Sequence, residues 1–336
     1  MLEQERMRTP EYMREDGAFT ECRLCPNHCR IADGRRGRCL ARGREKGRGV
    51  LHTYGQVTSG HVDPVEKKPL YHFFPGRPIF SIGSYGCNLS CRFCQNHEIS
   101  QEICPTEYIG PERLVELAAE IPGNIGVAYT YNEPGIWYEY IVDSAPLLHR
   151  KGLKTVMVTN GYLEADPWRS LCGVTDAMNI DLKGFTNEFY RDITKASLGP
   201  VLENITAAVR AGVHVELTNL VVPGLNDDPA TFDKMVDWIA ALSPEIPLHL
   251  SRYFPRFHET APPTSAETLE DFARRAASRL KYVYVGNIDL GHHQDTLCPA
   301  CGRTVIRRAG YRIEIVQPGS ACSCGAVLPI RDADHA

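Results

Sequence analysis

The chain lacks any apolar run near the roughly 18 residues that a membrane span needs, so a spanning protein is not expected. It also lacks the uncharged opening of a secretion signal. MLEQERMRTPEYMREDG carries too many charges for an apolar signal core, and a cytoplasmic protein is expected. Strong net charge is missing too. The 37 basic and 41 acidic side chains leave −4, which excludes a uniformly basic nucleic-acid binder. Cysteine is too sparse for a disulfide scaffold: 13 in 336 residues, an odd count. With 43% apolar and 23% charged residues, disordered and fibrous classes are excluded as well.

What is present is cysteine in clusters. Eleven of the 13 fall into three groups, and Cys104 and Cys172 stand alone as unligated thiols. Clustered thiols in a reducing compartment point to metal ligation or catalysis.

The chain divides into four stretches. Residues 1–50 form an Arg/Gly-rich segment with the first cluster, and 51–77 read as a connector. Residues 78–290 alternate strand and helix patterns, and 291–336 carry the last cluster. Strands are expected at Ile79–Ile82, Gly126–Thr130, Thr155–Thr159, Ala177–Asp181, Val215–Val221, Leu248–Leu250 and Tyr282–Val285, all short and apolar. Leu114, Leu117, Ala118 and Ile121 share one helical face, as do Phe232, Met235, Val236, Ile239 and Ala240. A third face is Leu269, Phe272, Ala273, Ala276 and Leu280. Such alternation predicts an α/β fold with parallel strands and right-handed crossovers, a partial or complete β/α barrel. A doubly wound open sheet fits the same pattern. Either way the chemistry belongs at the C-terminal strand ends.

Cys87, Cys91 and Cys94 follow the first of these strands in SIGSYGCNLSCRFCQN, spaced C-x3-C-x2-C. Three thiolates can hold three corners of an iron–sulfur cube and leave one iron open for a ligand. A zinc site completed by His97 is the alternative. Cys22, Cys25, Cys29 and Cys39 lie within 18 residues, a closed site for zinc or an auxiliary iron–sulfur cluster, with His28 as a competing ligand. Cys298, Cys301, Cys322 and Cys324 form CPAC and CSCG pairs. With strand patterns at Thr304–Arg307 and Tyr311–Val316 between them, they resemble a zinc ribbon and favour Zn²⁺ over a cluster. Between Arg30 and Arg48 eight basic residues face two acidic ones; this arm is a solvated loop or a contact for RNA, a nucleotide or an acidic partner.

Polar groups recur at the later strand ends: TYNEP, TNG, NIDLKG, and Glu216, Asn219, His249 and Arg252 beside the fifth and sixth strands. Buried polar groups are costly without partners or function. Gly286 and Asn287 close the last strand.

GCNLSCRFCQN, with Phe93 before its last cysteine, resembles the signature of the radical S-adenosylmethionine (SAM) superfamily. The resemblance implies a (β/α)6–7 barrel, a [4Fe-4S] cluster on Cys87, Cys91 and Cys94, and SAM chelated at the open iron. A 5′-deoxyadenosyl radical then abstracts hydrogen. It also implies a low-potential flavodoxin- or ferredoxin-type electron donor. TYNEP resembles the superfamily's Gly-Gly-Glu-Pro segment with Tyr131 and Asn132 replacing the glycines, which makes Glu133 the acceptor for the SAM ammonium. Thr159, Asn160, Asp181, Lys183 and His249 resemble SAM-site positions of pyruvate formate-lyase activating enzyme; Val158 stands where that family has an aspartate. Lys183 and His249 are the expected catalytic pair, and Phe93 and Asn132 the remaining cofactor contacts.

Almost the whole chain resembles the AmmeMemoRadiSam-system enzymes. The carriers are ECRLCPNHC with RRGRC, EKKPLYHFFPGRPIFSIGSYGCNLSCRFCQN, LVVPGLND, LHLSRYFP and the CPAC and CSCG tail. This implies Memo-like and AMME-syndrome-related partners. A glycyl-radical activating enzyme is the alternative; some of those carry extra clusters just after the motif, where this chain has only Cys104. A non-catalytic zinc protein that binds nucleic acid is the alternative of another class.

Overall fold

The computed structural model describes residues 8–332. Its strands are β1 (Met13–Asp16), β2 (Phe19–Cys22), β3 (Arg30–Ala32), β4 (Arg42–Glu45), β5 (Arg48–Leu51), β6 (Gln56–Val57), β7 (Ser59–Pro64), β8 (Pro78–Gly83), β9 (Glu107–Tyr108), β10 (Gly126–Tyr129), β11 (Lys154–Thr159), β12 (Ala177–Asp181), β13 (His214–Val221), β14 (Leu248–Arg252), β15 (Val283–Gly286), β16 (Thr296–Leu297), β17 (Thr304–Ala309) and β18 (Arg312–Ile315). Its helices are α1 (His97–Ser100), α2 (Pro111–Glu120), α3 (Tyr138–Arg150), α4 (Ala165–Cys172), α5 (Asn187–Phe189), α6 (Leu198–Arg210), α7 (Pro229–Leu242) and α8 (Ala266–Ala277).

One eight-stranded sheet dominates, in the order β15-β14-β13-β12-β11-β10-β8-β7. Seven of its strands run parallel, and β7 pairs antiparallel with β8. The seven expected strands all form, within two residues at either end. Apolar β-branched runs have no solvated face to offer, so they stack inside a crossover fold. The helices cover them with the expected stripes. Phe232, Met235, Val236 and Ile239 of α7 are buried, as are Leu269, Phe272, Ala273 and Ala276 of α8. Asp228 and Ser265 cap these two helices through Thr231 and Thr268. The α2 face is shifted: Val115 is buried, Leu117 is half-buried and Ile121 lies past the helix end.

The stretch read as a connector does more than connect. It supplies β7 to the edge of the main sheet, and its residues 70–74 are buried against the sheet strands. There the backbone N–H groups of Tyr71 and His72 donate to Glu216, and Asn179 donates to the Pro69 carbonyl. The C-terminal hairpin β17–β18 follows the ribbon expectation and docks on this segment. Arg308 donates to the Tyr71 carbonyl at 2.7 Å, and Arg331 exchanges backbone hydrogen bonds with His72 and Phe74.

Two residues of the basic arm, Arg42 and Arg44, are structural. The arm forms the β4–β5 hairpin beside the β1-β2-β3 sheet. Arg42 is buried and pairs with Glu139 at 2.6 Å, while Arg44 is buried against Glu15. Burial of these two guanidiniums removes them from any RNA-facing surface, which corrects the solvated-loop reading for both.

Candidate active site

The three central cysteines sit in the loop leaving β8. This loop is held from several sides. Asn132 accepts from Ser84 N and donates to the Gly86 carbonyl, and Asn96 donates to the Tyr131 carbonyl. Asn160 lies 3.7 Å from Cys87 Sγ and donates to Asn88 at 2.9 Å. Leu89 N points at Cys87 Sγ, and Cys94 Sγ lies 3.2 Å from Ser100 Oγ. Amide donors aimed at sulfur favour the thiolate form. Burial opposes it, pushing Cys91 up to about 12 and Cys87 well above the ordinary thiol range. A metal must therefore displace protons to bind here.

All three sulfurs line one cavity of about 780 Å³, in the range of small-molecule sites. Phe93, Asn132, Glu133, Thr159, Asn160, Asp181 and Lys183 line it as well. His97 does not; its ring stacks on Phe257 at 4.5 Å, away from the zinc role considered above. The wall holds three thiols and no fourth cysteine, which fits a cluster with one iron open to a ligand.

Glu133 is buried, and three donors hold its carboxylate: Thr159 Oγ1 at 2.6 Å, Asn160 N at 2.8 Å and Gly135 N at 2.7 Å. Burial outweighs those donors and raises its pKa to about 7. One acceptor position of the four on a carboxylate remains for an ammonium. Lys183 pairs with Asp181 at 2.9 Å. Burial works to lower the Lys183 pKa, but Asp181 and the Cys91 sulfur overcome it and hold the amine charged.

His249 is not in this wall. Along a strand, residues two apart share a face. On β14, Ser251 lines the cluster cavity while His249 sits one layer deeper. There its Nε2 lies 2.6 Å from Glu216 Oε2, and its ring packs on Tyr71 and Tyr284. Glu216 sits in the same deep layer, with His214 on its other oxygen at 3.0 Å. Burial alone would raise Glu216, yet the two imidazoles and their hydrogen bonds hold it well below the usual carboxylate range. Asn219 donates to the Leu182 carbonyl and Arg252 to the Thr264 carbonyl, both fold contacts.

The structure adds a group that the sequence reading passed over. Asp63 of β7 binds Lys68 at 2.8 Å, Lys67 at 3.0 Å and the Tyr131 hydroxyl at 2.8 Å, all beside the cavity. Burial would raise the Asp63 pKa, but the two lysines and the tyrosine lower it. The lysine doublet Lys67–Lys68 was the available signal.

A second cavity of about 990 Å³ opens beside the first and shares Lys67, Gln95, Thr218, Ser251 and Asn287 with it. His249 and the hairpin residues Arg307 and Tyr311 line this second space. At the far end of the chain, Cys298 and Cys324 sulfurs lie 3.7 Å apart and Cys301 and Cys322 sulfurs 3.6 Å. That matches the roughly 3.8 Å edge of a zinc tetrahedron with 2.3 Å Zn–S bonds.

No helix among the described residues is long and apolar enough to cross a membrane. Residues 81–239 match the family model for the radical SAM superfamily. An uncharacterized protein of Methanocaldococcus jannaschii is 41% identical over 314 residues, 91% of this chain and 92% of the relative. Pyruvate formate-lyase-activating enzyme of Clostridium pasteurianum is 25% identical over 158 residues, which cover 46% of this chain and 66% of that enzyme. The solved structure of SuiB from Streptococcus suis, bound to S-adenosylmethionine, shares the fold with a TM-score of 0.52 at 12% identity, covering 67% of this chain and 53% of that one. With its cysteine triad, its parallel sheet and these relatives, the chain belongs to the radical SAM superfamily of enzymes, related to the pyruvate formate-lyase activating enzymes.

Proposed function

We propose that the chain binds a [4Fe-4S] cluster on Cys87, Cys91 and Cys94 and uses SAM to abstract hydrogen from a substrate in the second cavity. The carrying observation is one cavity that joins three thiols to Glu133, Asp181 and Lys183 and opens into a second. When bound, the cluster and SAM supply one-electron cleavage of a carbon–sulfur bond and a 5′-deoxyadenosyl radical. The chain's own residues position the reactants. Glu133 offers its remaining acceptor to the ammonium, and Lys183 stands by the carboxylate with Asp181 fixing its amine. Asn160 and Asn132 tie the SAM side of the cavity to the cysteine loop. Phe93, buried against Phe189, excludes water from the cluster face.

The substrate lies between the strand ends and the β17–β18 hairpin, where Ser251, Asn287 and Tyr311 offer hydrogen bonds. Zn²⁺ in the C-terminal quartet stiffens that hairpin. A flavodoxin- or ferredoxin-type protein supplies electrons, and Memo-like and AMME-syndrome-related proteins are the partners to add. The four-part division at residues 50, 77 and 290 belongs to the same proposal, with the 51–77 stretch lending β7 to the core sheet.

A second reading has specific support. Relatives include benzylsuccinate synthase activating enzyme of Thauera aromatica, 24% identical over 184 residues and 56% of that enzyme's length. On this reading the substrate is a backbone glycine of a partner protein.

Anaerobic turnover with labelled SAM, with and without the Memo-like and AMME-related proteins, tests the proposal. Label appearing in 5′-deoxyadenosine, faster when the partners are present, supports the system. A glycyl radical formed on a partner chain supports the second reading. No SAM cleavage by the reduced, iron-loaded protein refutes both.

A further inference from the structure

The N-terminal four-cysteine site has no role in the chemistry described so far. Cys22 ends β2, Cys25 and Cys29 lie in the turn before β3, and Cys39 precedes β4. Their side chains share a hollow with Leu24, Ile31 and Arg42. It admits about 10 Å³, little more than one water molecule. That space is too small for a substrate, and four thiols line it.

Sulfur spacing distinguishes two kinds of thiolate site. Around a single zinc the sulfurs stand about 3.8 Å apart. A cuboidal cluster places each sulfur on a different iron and holds the sulfurs farther apart. Among the described residues, the C-terminal quartet is the one set of cysteine, histidine or carboxylate ligand atoms that closes to within 4.8 Å. The Cys87–Cys91–Cys94 triad does not close so far, nor do three of the four N-terminal thiols. The N-terminal site, like the triad, thus lacks the tight closure of the ribbon.

The two open sites also abut. Asn27 Nδ2 lies 3.6 Å from Cys25 Sγ and donates to the Asn88 carbonyl at 2.8 Å, one residue from Cys87. On another side Gly86 has a φ of +89°, and a Cβ there would collide with the Cys39 carbonyl oxygen. Only glycine lets the Cys39 backbone pack directly on the residue before Cys87. Arg42, fully buried, lies near Cys22 and Cys39 and offsets negative charge gathered there.

We propose that Cys22, Cys25, Cys29 and Cys39 hold a second [4Fe-4S] cluster, ligated on every iron, that passes single electrons to the triad cluster by way of Asn27 and the Cys39–Gly86 contact. One electron leaves the reduced second cluster and reduces the first. A low-potential flavodoxin- or ferredoxin-type donor restores it. The existence of the second cluster is independent of the proposed function; only the electron's destination rests on that reading.

The test is iron, sulfide and zinc content of the anaerobically reconstituted full chain, beside a variant carrying Cys87→Ala, Cys91→Ala and Cys94→Ala. Expected are about eight irons and one zinc in the wild type, and about four irons and one zinc in the variant. About four irons and two zincs in the wild type, with no iron in the variant, overturns the second cluster and leaves the active-site reading standing. About four irons in both overturns the active-site reading and upholds the second cluster. If the triple variant fails to fold, the wild-type ratio of iron to zinc still decides between one cluster and two. Asn27→Ala should keep its iron and slow reduction of the triad cluster at least threefold by freeze-quench electron paramagnetic resonance; an unchanged rate overturns the relay.

Discussion

Glu216→Gln separates a fold clamp from a cofactor contact. Glu216 has no exposed side-chain surface and accepts four hydrogen bonds. His72 N and His214 Nε2 reach Oε1 at 2.7 and 3.0 Å; Tyr71 N and His249 Nε2 reach Oε2 at 2.9 and 2.6 Å. Glutamine replaces one of these oxygens with a donor. The facing imidazole can change tautomer and accept. The facing backbone N–H cannot, and is left unpaired at a cost of about 1–3 kcal/mol. Loss of the charge from the bonds that remain adds a comparable amount, so about 2–5 kcal/mol is expected. Anaerobic urea unfolding measures this, and equilibrium dialysis measures SAM affinity, which should change less than about twofold since Glu216 lies a layer below the cofactor cavity. The acid limb carries the same sign. A carboxylate held below its unfolded pKa stabilises the fold above that unfolded value, and the gain fades as pH falls through the depressed one. The wild type should lose this part in acid, and the variant should have none to lose. Intact stability with SAM binding abolished would refute the clamp and return His249 to the cofactor.

Lys183→Met should weaken SAM binding about 10–100-fold, or about 1.4–2.8 kcal/mol, with iron content unchanged; dialysis and iron assays check both. Glu133 accepts the SAM ammonium only when ionised, so SAM affinity should fall as pH drops through about 7, and Glu133→Gln should flatten the profile. Cys298→Ala should remove the C-terminal zinc and lower the melting temperature while leaving the triad iron in place, by metal analysis and calorimetry.

The seven core strands were legible because a doubly covered strand must be apolar along its length, a local property of the sequence. The cysteine clusters were legible because most of their members lie a few residues apart. What was hidden depends on distant pairs. Tyr71 and Glu216 are 145 positions apart, so a buried segment looked like a linker. Arg42 and Glu139 are 97 apart, so a buried ion pair looked like a charged loop. His249 shares a strand face with Ser251, and sequence alternation alone assigns the face but not the layer. That Cys298, Cys301, Cys322 and Cys324 close to within 4.8 Å while Cys22, Cys25, Cys29 and Cys39 do not appears only in three dimensions.

The most direct test of the central claim is reductive SAM cleavage by the anaerobic, iron-loaded protein, comparing wild type with Cys91→Ala. The triad account predicts 5′-deoxyadenosine from the wild type and none above background from the variant. Equal yields from the two proteins would contradict it.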